Sequence, residues 1–320
     1  MQKKVSLEPW SERNIPEIAA LWNRNFPEAF HVTEFWLMKK TVQDGDLFVP
    51  GTLALRGEDG IIAAVATKIS DGILPEYYRT AWLSSLVTDV DCRRRGFGGF
   101  LYRRAEAELK KSGVRTVISG GEMHNFFSGI PEPEPETERF FQSLGFVLND
   151  VRHYDLSSDV SRIDFDRVGV PMNETSDFVT SPATELDFPE MRRFFDREFP
   201  GRWKFEVMRH LESGGDPGEI LLLRRGREVC GFCKVHVNHD GRNGEFNSQL
   251  GKSWGALGPI GISEAARGKG LGARLLRDAL KHLQRGGAHN VNIDWTVLKD
   301  FYGQFGFQPW RTYLAAYKEL

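Results

Sequence analysis

Two glycine loops, one in each half of the chain, constrain this sequence more than any other feature. "RRRGFGGFLY" begins at position 93 and "RGKGLGARLL" at position 267, an offset of 174 residues. Each follows an apolar, strand-like run ("AWLSSLVTDV" and "GALGPIGIS") and leads into a helix-like one. Other landmarks recur in the same order. "IPEIAALWNRNFPEAF" at 15–30 aligns with "FPEMRRFFDREFPGRW" at 188–203, and "ERFFQSLGF" at 138–146 aligns with "KDFYGQFGF" at 299–307. Chance rarely preserves order and spacing together, so the chain reads as a domain-sized duplication. The expected division is a first domain over 1–155, a polar linker over 156–179 and a second domain over 180–320.

Both halves carry the same pattern of periods. Ile18, Leu21 and Trp22 in one, and Met191, Phe194 and Phe195 in the other, are spaced for a helix. Strand-like runs follow ("GIIAAVATKI", "EVCGFCKVHVN"), then the apolar strand, the glycine loop, a helix, a further strand, a short helix and a last strand. This alternation predicts an α/β architecture: two tandem domains, each a mixed, mostly antiparallel sheet with flanking helices.

Composition removes several alternatives. A net charge of -2 lacks the basic excess of a nucleic-acid-binding domain. No apolar run approaches the roughly 18–20 residues of a membrane helix. "MQKKVSLEPWSERNIPE" has no apolar stretch behind its lysines, so no secretory signal is read and a cytoplasmic location is expected. Cys92, Cys230 and Cys233 are too few for a disulfide framework. The "CGFC" pair, with His236 and His239 behind it, raises the question of a metal. Strand alternation puts Cys230 and Cys233 on opposite faces, so no metal site is expected.

A strand-to-helix turn built from glycines lets backbone N–H groups converge where the helix dipole is positive. Arg267 and Arg93 add a full charge beside it, and pyrophosphate is the natural guest. The phosphate loop of nucleotide hydrolases needs Lys-Ser or Lys-Thr after its last glycine, but Ala273 follows Gly272. The dinucleotide fingerprint needs a glycine where Leu275 and Leu101 stand. Both halves instead fit Arg-x-x-Gly-x-Gly-x-x-Leu: Arg93, Gly96, Gly98, Leu101, and Arg267, Gly270, Gly272, Leu275. In these loops, and in the "FYGQFGF" ending, the chain resembles the GCN5-related N-acetyltransferase superfamily over nearly its whole length.

The resemblance implies a splayed central strand pair that admits the pantetheine arm of acetyl-CoA. It places cofactor contacts at Ile260, Gly261 and Ile262 of the strand and at Arg267, Gly268, Lys269, Gly270, Leu271, Gly272 and Ala273 of the loop. In the first half it places them at Arg93, Arg94, Gly96, Gly98 and Gly99. Gly258-Pro259 suits a bulge, since proline cannot donate to a central ladder. Tyr302 falls where the family has its general-acid tyrosine, whereas the first half has Phe141 there, so the second half is the expected catalytic one. Asp294, in "NVNIDWTV", is the candidate base. The expected reaction is acetyl transfer to an amine of a small molecule or protein by a monomer or homodimer. The rival readings are a coenzyme A-binding regulator without turnover, and an aminoacyl- or peptidyl-transferase on the same duplicated fold. The acidic "NFFSGIPEPEPETE" loop would suit a cationic acceptor.

Overall fold

The computed structural model describes residues 5–131, 134–238 and 246–320, apart from the side chains at 247 and 248. The first four residues, positions 132 and 133 of the acidic loop, and His239 lie outside the described residues. The elements in chain order are β1 (Ser6–Pro9), α1 (Ile15–Asn25), α2 (Glu34–Lys40), β2 (Leu53–Gly57), β3 (Gly60–Ile69), β4 (Thr80–Thr88), α3 (Phe97–Lys111), β5 (Thr116–Ser119), β6 (Ile130–Pro131), α4 (Pro135–Ser143) and β7 (Val147–Asp159). Then come β8 (Phe178–Pro182), α5 (Phe188–Glu198), α6 (Arg202–Glu212), β9 (Ile220–Arg225), β10 (Glu228–Val237), α7 (Asn247–Leu250), β11 (Trp254–Ile262), α8 (Leu271–Arg285), β12 (Asn290–Thr296), α9 (Lys299–Gly303) and β13 (Gln308–Glu319). They form two compact units: Met1–Tyr154 with Trp310–Leu320, and Asp155–Pro309.

In the first unit the strand order is β1-β2-β3-β4-β5-β13, antiparallel except for the parallel β4–β5 pair. Ile15, Ile18, Leu21 and Trp22 of α1 bury with Trp36 and Leu37 of α2 against one face of this sheet. Leu101, Tyr102, Ala105 and Leu109 of α3 cover the other. The last strand of the chain completes this unit, Tyr317 opposite Ile118 and Glu319 opposite Thr116. By sequence, position 310 onward falls in the second repeat; in the structure it belongs to the first unit. Its home is set by the ladder it can join, because an unpaired strand would leave buried amides without partners.

The second unit repeats the plan with β8-β9-β10-β11-β12, again antiparallel except for the parallel β11–β12 pair. Met191, Phe194 and Phe195 of α5 pack with Val207 and Leu211 of α6 around Phe232. The inner stripe of α8, Leu271, Leu275, Leu276, Ala279, Leu280 and Leu283, is buried. At about 1.5–3 kcal/mol for each fully buried leucine, this stripe fixes the helix against the sheet. The connector before β8 is not a free linker. Arg274 of α8 donates to the carbonyls of Asn173, Thr175 and Phe178, and Gln284 to those of Val160 and Ile163.

Candidate active site

The same device opens the sheet in each unit. β4 pairs with β5 from Thr80↔Thr116 to Leu83↔Ser119. β11 pairs with β12 from Trp254↔Asn290 to Ala256↔Asn292. A bulge lies at the point of divergence in both. Ala66 faces Ser85 and Thr67 faces Leu83, leaving Ser84 as the extra residue of β4. In β11, Cys233 faces Ile260 and Val235 faces Leu257, so Gly258 and Pro259 share one partner position. An extra residue bends the strand and sharpens its twist, which carries it away from its neighbour.

Beyond the bulge each strand runs into its glycine loop. Gly96 (φ 83°) precedes α3, and Gly268 and Gly270 (both φ 71°) precede α8, in left-handed backbone that glycine adopts without strain. Arg94 stands where the second unit has Gly268 and adopts the same region, φ 63°. Arg93 Nε donates to Thr88 O at 3.3 Å, and Arg267 Nε to Ile262 O at 3.1 Å, so each guanidinium clamps the last carbonyl of its own strand. Lys269 Nζ donates to Ala265 O at 2.7 Å. The first-turn amides, which include those of Leu271, Gly272 and Ala273, have no carbonyl partner within their helix. Backbone donors, a helix dipole and a tethered cation thus converge at both loops, which fits a pyrophosphate.

In the first unit these parts line a cleft of about 680 Å³. Arg93, Arg94, Gly96, Gly98 and Gly99 form one end, and Leu83–Thr88 run along its length. Phe140 and Phe141 of α4 form a wall, with the Phe141 ring edge-on to Phe140 and to Phe146. The second unit has Tyr302, on α9, at the place of Phe141; it is 5% exposed. Burial, with the Asp294 carboxylate nearby, pushes its phenol well above the ordinary tyrosine range. Tyr302 therefore holds its proton throughout the neutral range.

Asp294 is exposed, and its Oδ1 lies 3.7 Å from the place a side chain on Gly258 would occupy. The strand bends sharply after it. Trp295 has φ 46°, a strained value for a bulky residue. It is held by its N–H, which donates to Asp155 Oδ1 at 3.1 Å, and by the Arg202 guanidinium 4.3 Å above its ring. Gly261 admits Phe199 to the strand: a Cβ there would meet the Phe199 ring at 2.6 Å and Phe232 at 2.9 Å. Ile260 and Ile262 flank it, half-buried. Tyr302, Asp294 and the Gly258 bulge thus gather where β11 and β12 part, while the glycine loop lies at the far end of β11.

A cluster of ionisable side chains stands on the matching strand of each unit, β10 and β3. His236 Nδ1 lies 2.7 Å from Glu219 Oε1, with His210 Nε2 3.3 Å from Oε2. Burial pushes Glu219 up, but the His236 hydrogen bond and the surrounding positive charge outweigh it and hold the carboxyl below its usual range. The matching β3 residue is Lys68, fully buried and paired with Asp44 at 2.9 Å and Glu122 at 3.2 Å. Asp44, Asp46 and His124 bring potential metal-ligand atoms within 4.8 Å of one another. The Lys68 ammonium already supplies the positive charge there. Cys230 and Cys233 are free thiols, and burial pushes both up, Cys233 furthest.

The model of the acetyltransferase (GNAT) family matches residues 15–146 and again 188–307. The chain therefore belongs to the GNAT acetyltransferase family, with two copies of its domain. No curated protein matches the sequence. Among solved structures, a GCN5-related glucosamine N-acetyltransferase region of a fungal multi-domain GH3 β-N-acetylglucosaminidase superposes with a TM-score of 0.84 at 19% identity over 99% of this chain. The chain spans only 38% of the length of that protein. A GCN5-related N-acetyltransferase from Sphaerobacter thermophilus gives 0.72 at 16% identity, covering 98% of this chain and 95% of its own. A tandem GNAT protein from the clavulanic acid biosynthesis pathway gives 0.69 at 15% identity, covering 99% and 98%. At such identities the likeness establishes the fold. Among the described residues, no helix is long and apolar enough to cross a membrane.

Proposed function

We propose that the chain is an acetyl-CoA-dependent N-acetyltransferase whose chemistry occurs in the second unit. The carrying observation is Tyr302, a buried phenol at the mouth of the β11–β12 opening, against a phenylalanine at the same place in the first unit. Arg267, Gly268, Lys269, Gly270, Leu271, Gly272 and Ala273 would hold the pyrophosphate through backbone donors and charge. Ile260, Gly261 and Ile262 would offer strand-edge groups to the pantetheine arm, as an added strand would use them. Bound acetyl-CoA supplies the acetyl thioester. Asp294 would take the proton leaving the acceptor amine, and Tyr302, kept neutral by burial, would give one to the departing sulfur.

The acceptor is an amine of a small molecule or protein. Glucosamine heads the panel to be tried, because the fungal region of most similar fold among the three is named for it. The test is thiol release from acetyl-CoA with that panel, for the native protein and for Tyr302→Phe. General acid catalysis contributes about 10²–10⁴-fold, and thiolates leave readily, so a fall in kcat of about 100-fold is expected, with acetyl-CoA affinity unchanged. Native kcat in Tyr302→Phe would remove the phenol from the mechanism.

A further inference from the structure

The ends of β5 and β12 make the same turn with opposite residues. Trp82 pairs with Lys68 and Ile118, and Ala256 pairs with His236 and Asn292, so Ile118 and Asn292 hold matching positions. Gly120 and Gly121 therefore match Asp294 and Trp295. The backbone is left-handed at the second residue of each pair, with φ 71° at Gly121 and 46° at Trp295. Glycine makes that turn without strain. Tryptophan makes it against the contact between its Cβ and its own carbonyl. Strain that the sister copy avoids persists only where the surroundings impose it, and such places cluster at functional sites.

The surroundings that impose it are specific. The β11–β12 ladder runs to Ala256↔Asn292, so Asp294 and Trp295 stand past its end. The Trp295 N–H donates instead to Asp155 Oδ1 at 3.1 Å, on a residue 3% exposed. The Arg202 guanidinium lies 4.3 Å above the Trp295 ring, where a cation is attracted to the face of an indole. Arg202 is itself tied down, its Nε donating to Glu206 Oε1 at 2.5 Å. In the first unit the Gly121 N–H donates to the Phe127 carbonyl at 2.8 Å, and neither glycine carries a ring or a carboxylate. The peptide that follows Asp294 is thus fixed by a buried carboxylate on its N–H and by a stacked ring beyond it. The Asp294 Oδ1 comes to rest 3.7 Å from the place a side chain on Gly258 would occupy, over the bulge.

We propose that Trp295, clamped by Asp155 and Arg202, is a positioning residue that holds the Asp294 carboxylate over the Gly258 bulge, where the acceptor nitrogen gives up its proton. The inference rests on the reading of Asp294 as the base and goes beyond it, to the device that aims it. A base must stand within about 2.6–3.2 Å of the atom it deprotonates. A displacement of about 1 Å can cost about 100-fold in rate. A carboxylate on an unclamped strand end would wander by that much. The first unit, with Gly120-Gly121, has neither the base nor its clamp.

The test is the rate of thiol release from acetyl-CoA by the full chain, with the best acceptor of the panel, for Asp294→Asn, Trp295→Gly and the two together. Asp294→Asn should lower kcat about 100-fold or more. Trp295→Gly should lower it about 10- to 100-fold at an unchanged KM for acetyl-CoA. Trp295→Phe, which keeps a ring beneath Arg202, should recover most of that loss. In the double variant, Trp295→Gly should cost less than about twofold beyond Asp294→Asn alone, because a residue acting through another has nothing left to act on. Urea unfolding checks that each variant is folded. Should Trp295→Gly fail that check, Arg202→Met, which removes the cation and leaves the turn, takes its place in the cycle. Losses that multiply in the double variant, or an equal loss in Trp295→Phe and Trp295→Gly, would overturn the proposal and leave Asp294 as the base. A native rate in Asp294→Asn would instead remove the base, and its positioning with it.

Discussion

Gly270 and Arg94 occupy similar backbone conformations with opposite consequences. Both have positive φ, 71° and 63°, where a side chain strains against its own carbonyl by about 1–2 kcal/mol. At Gly270 a Cβ would also fall 2.9 Å from Asn173 N and 3.0 Å from Met172 Cα, backbone atoms tied down by Arg274. Gly270→Ala should therefore cost at least about 2 kcal/mol in urea unfolding. Arg94→Gly relieves the strain but loosens the unfolded chain by about 0.5–1 kcal/mol, so stability should hold or rise slightly. Equal losses from both changes would mean that the loop conformations are not those described.

Lys68 supplies a second residue-scale test. Breaking a buried ion pair from one side leaves the other charges uncompensated, at a cost of about 3–5 kcal/mol. Lys68→Met should lose that much at pH 7. In the native protein, burial raises the Asp44 carboxyl, but the His124 hydrogen bond and the Lys68 charge outweigh it and hold it well below its usual range. A depressed carboxyl contributes stability above its unfolded pKa, near 3.9, and loses it as pH falls below. Native stability should thus decline on acidification below about pH 5. The deficit of Lys68→Met should shrink over that window, because its orphaned carboxyls then protonate. A pH-independent deficit would argue against the ion pair.

At the scale of elements, the glycine loops were legible because their signals are local. Arg-x-x-Gly-x-Gly reports positive φ and close backbone approach within six residues, and Gly96, Gly268 and Gly270 adopt it. Gly258-Pro259 announced the bulge that parts β11 from β12 for the same reason. What escaped reading depends on residues far apart in sequence. Lys68 meets Asp44 and Glu122 from three different segments. The polar stretch before β8 reads as a linker by composition, yet its carbonyls are taken by Arg274 and Gln284 of α8. Ser84 and Ser85 look like ordinary strand residues until the register shift shows them at the bulge. The Trp295 strain is invisible in sequence because it is imposed by Asp155, 140 residues away.

At the scale of the whole chain, duplication supplied two copies of one device and left each free to change. The glycine loop and the bulge persist in both, whereas the tyrosine stands only in the second unit and the buried lysine only in the first. The order of strands does not follow the order of repeats, because β13, from the end of the second repeat, completes the sheet of the first unit. Its Tyr313 is fully buried there, 5.7 Å from the Phe30 ring and 6.1 Å from Phe127, and its neighbour Leu314 pairs with Ile130. Tyr313→Ala removes a large buried ring and should cost about 3–5 kcal/mol. The site of the damage distinguishes the two possible homes of the strand. Amide hydrogen exchange should quicken most in β5 and β6, the strands that β13 pairs with in the first unit. Were the strand to close the repeat it follows in sequence, the change would fall on β12 instead.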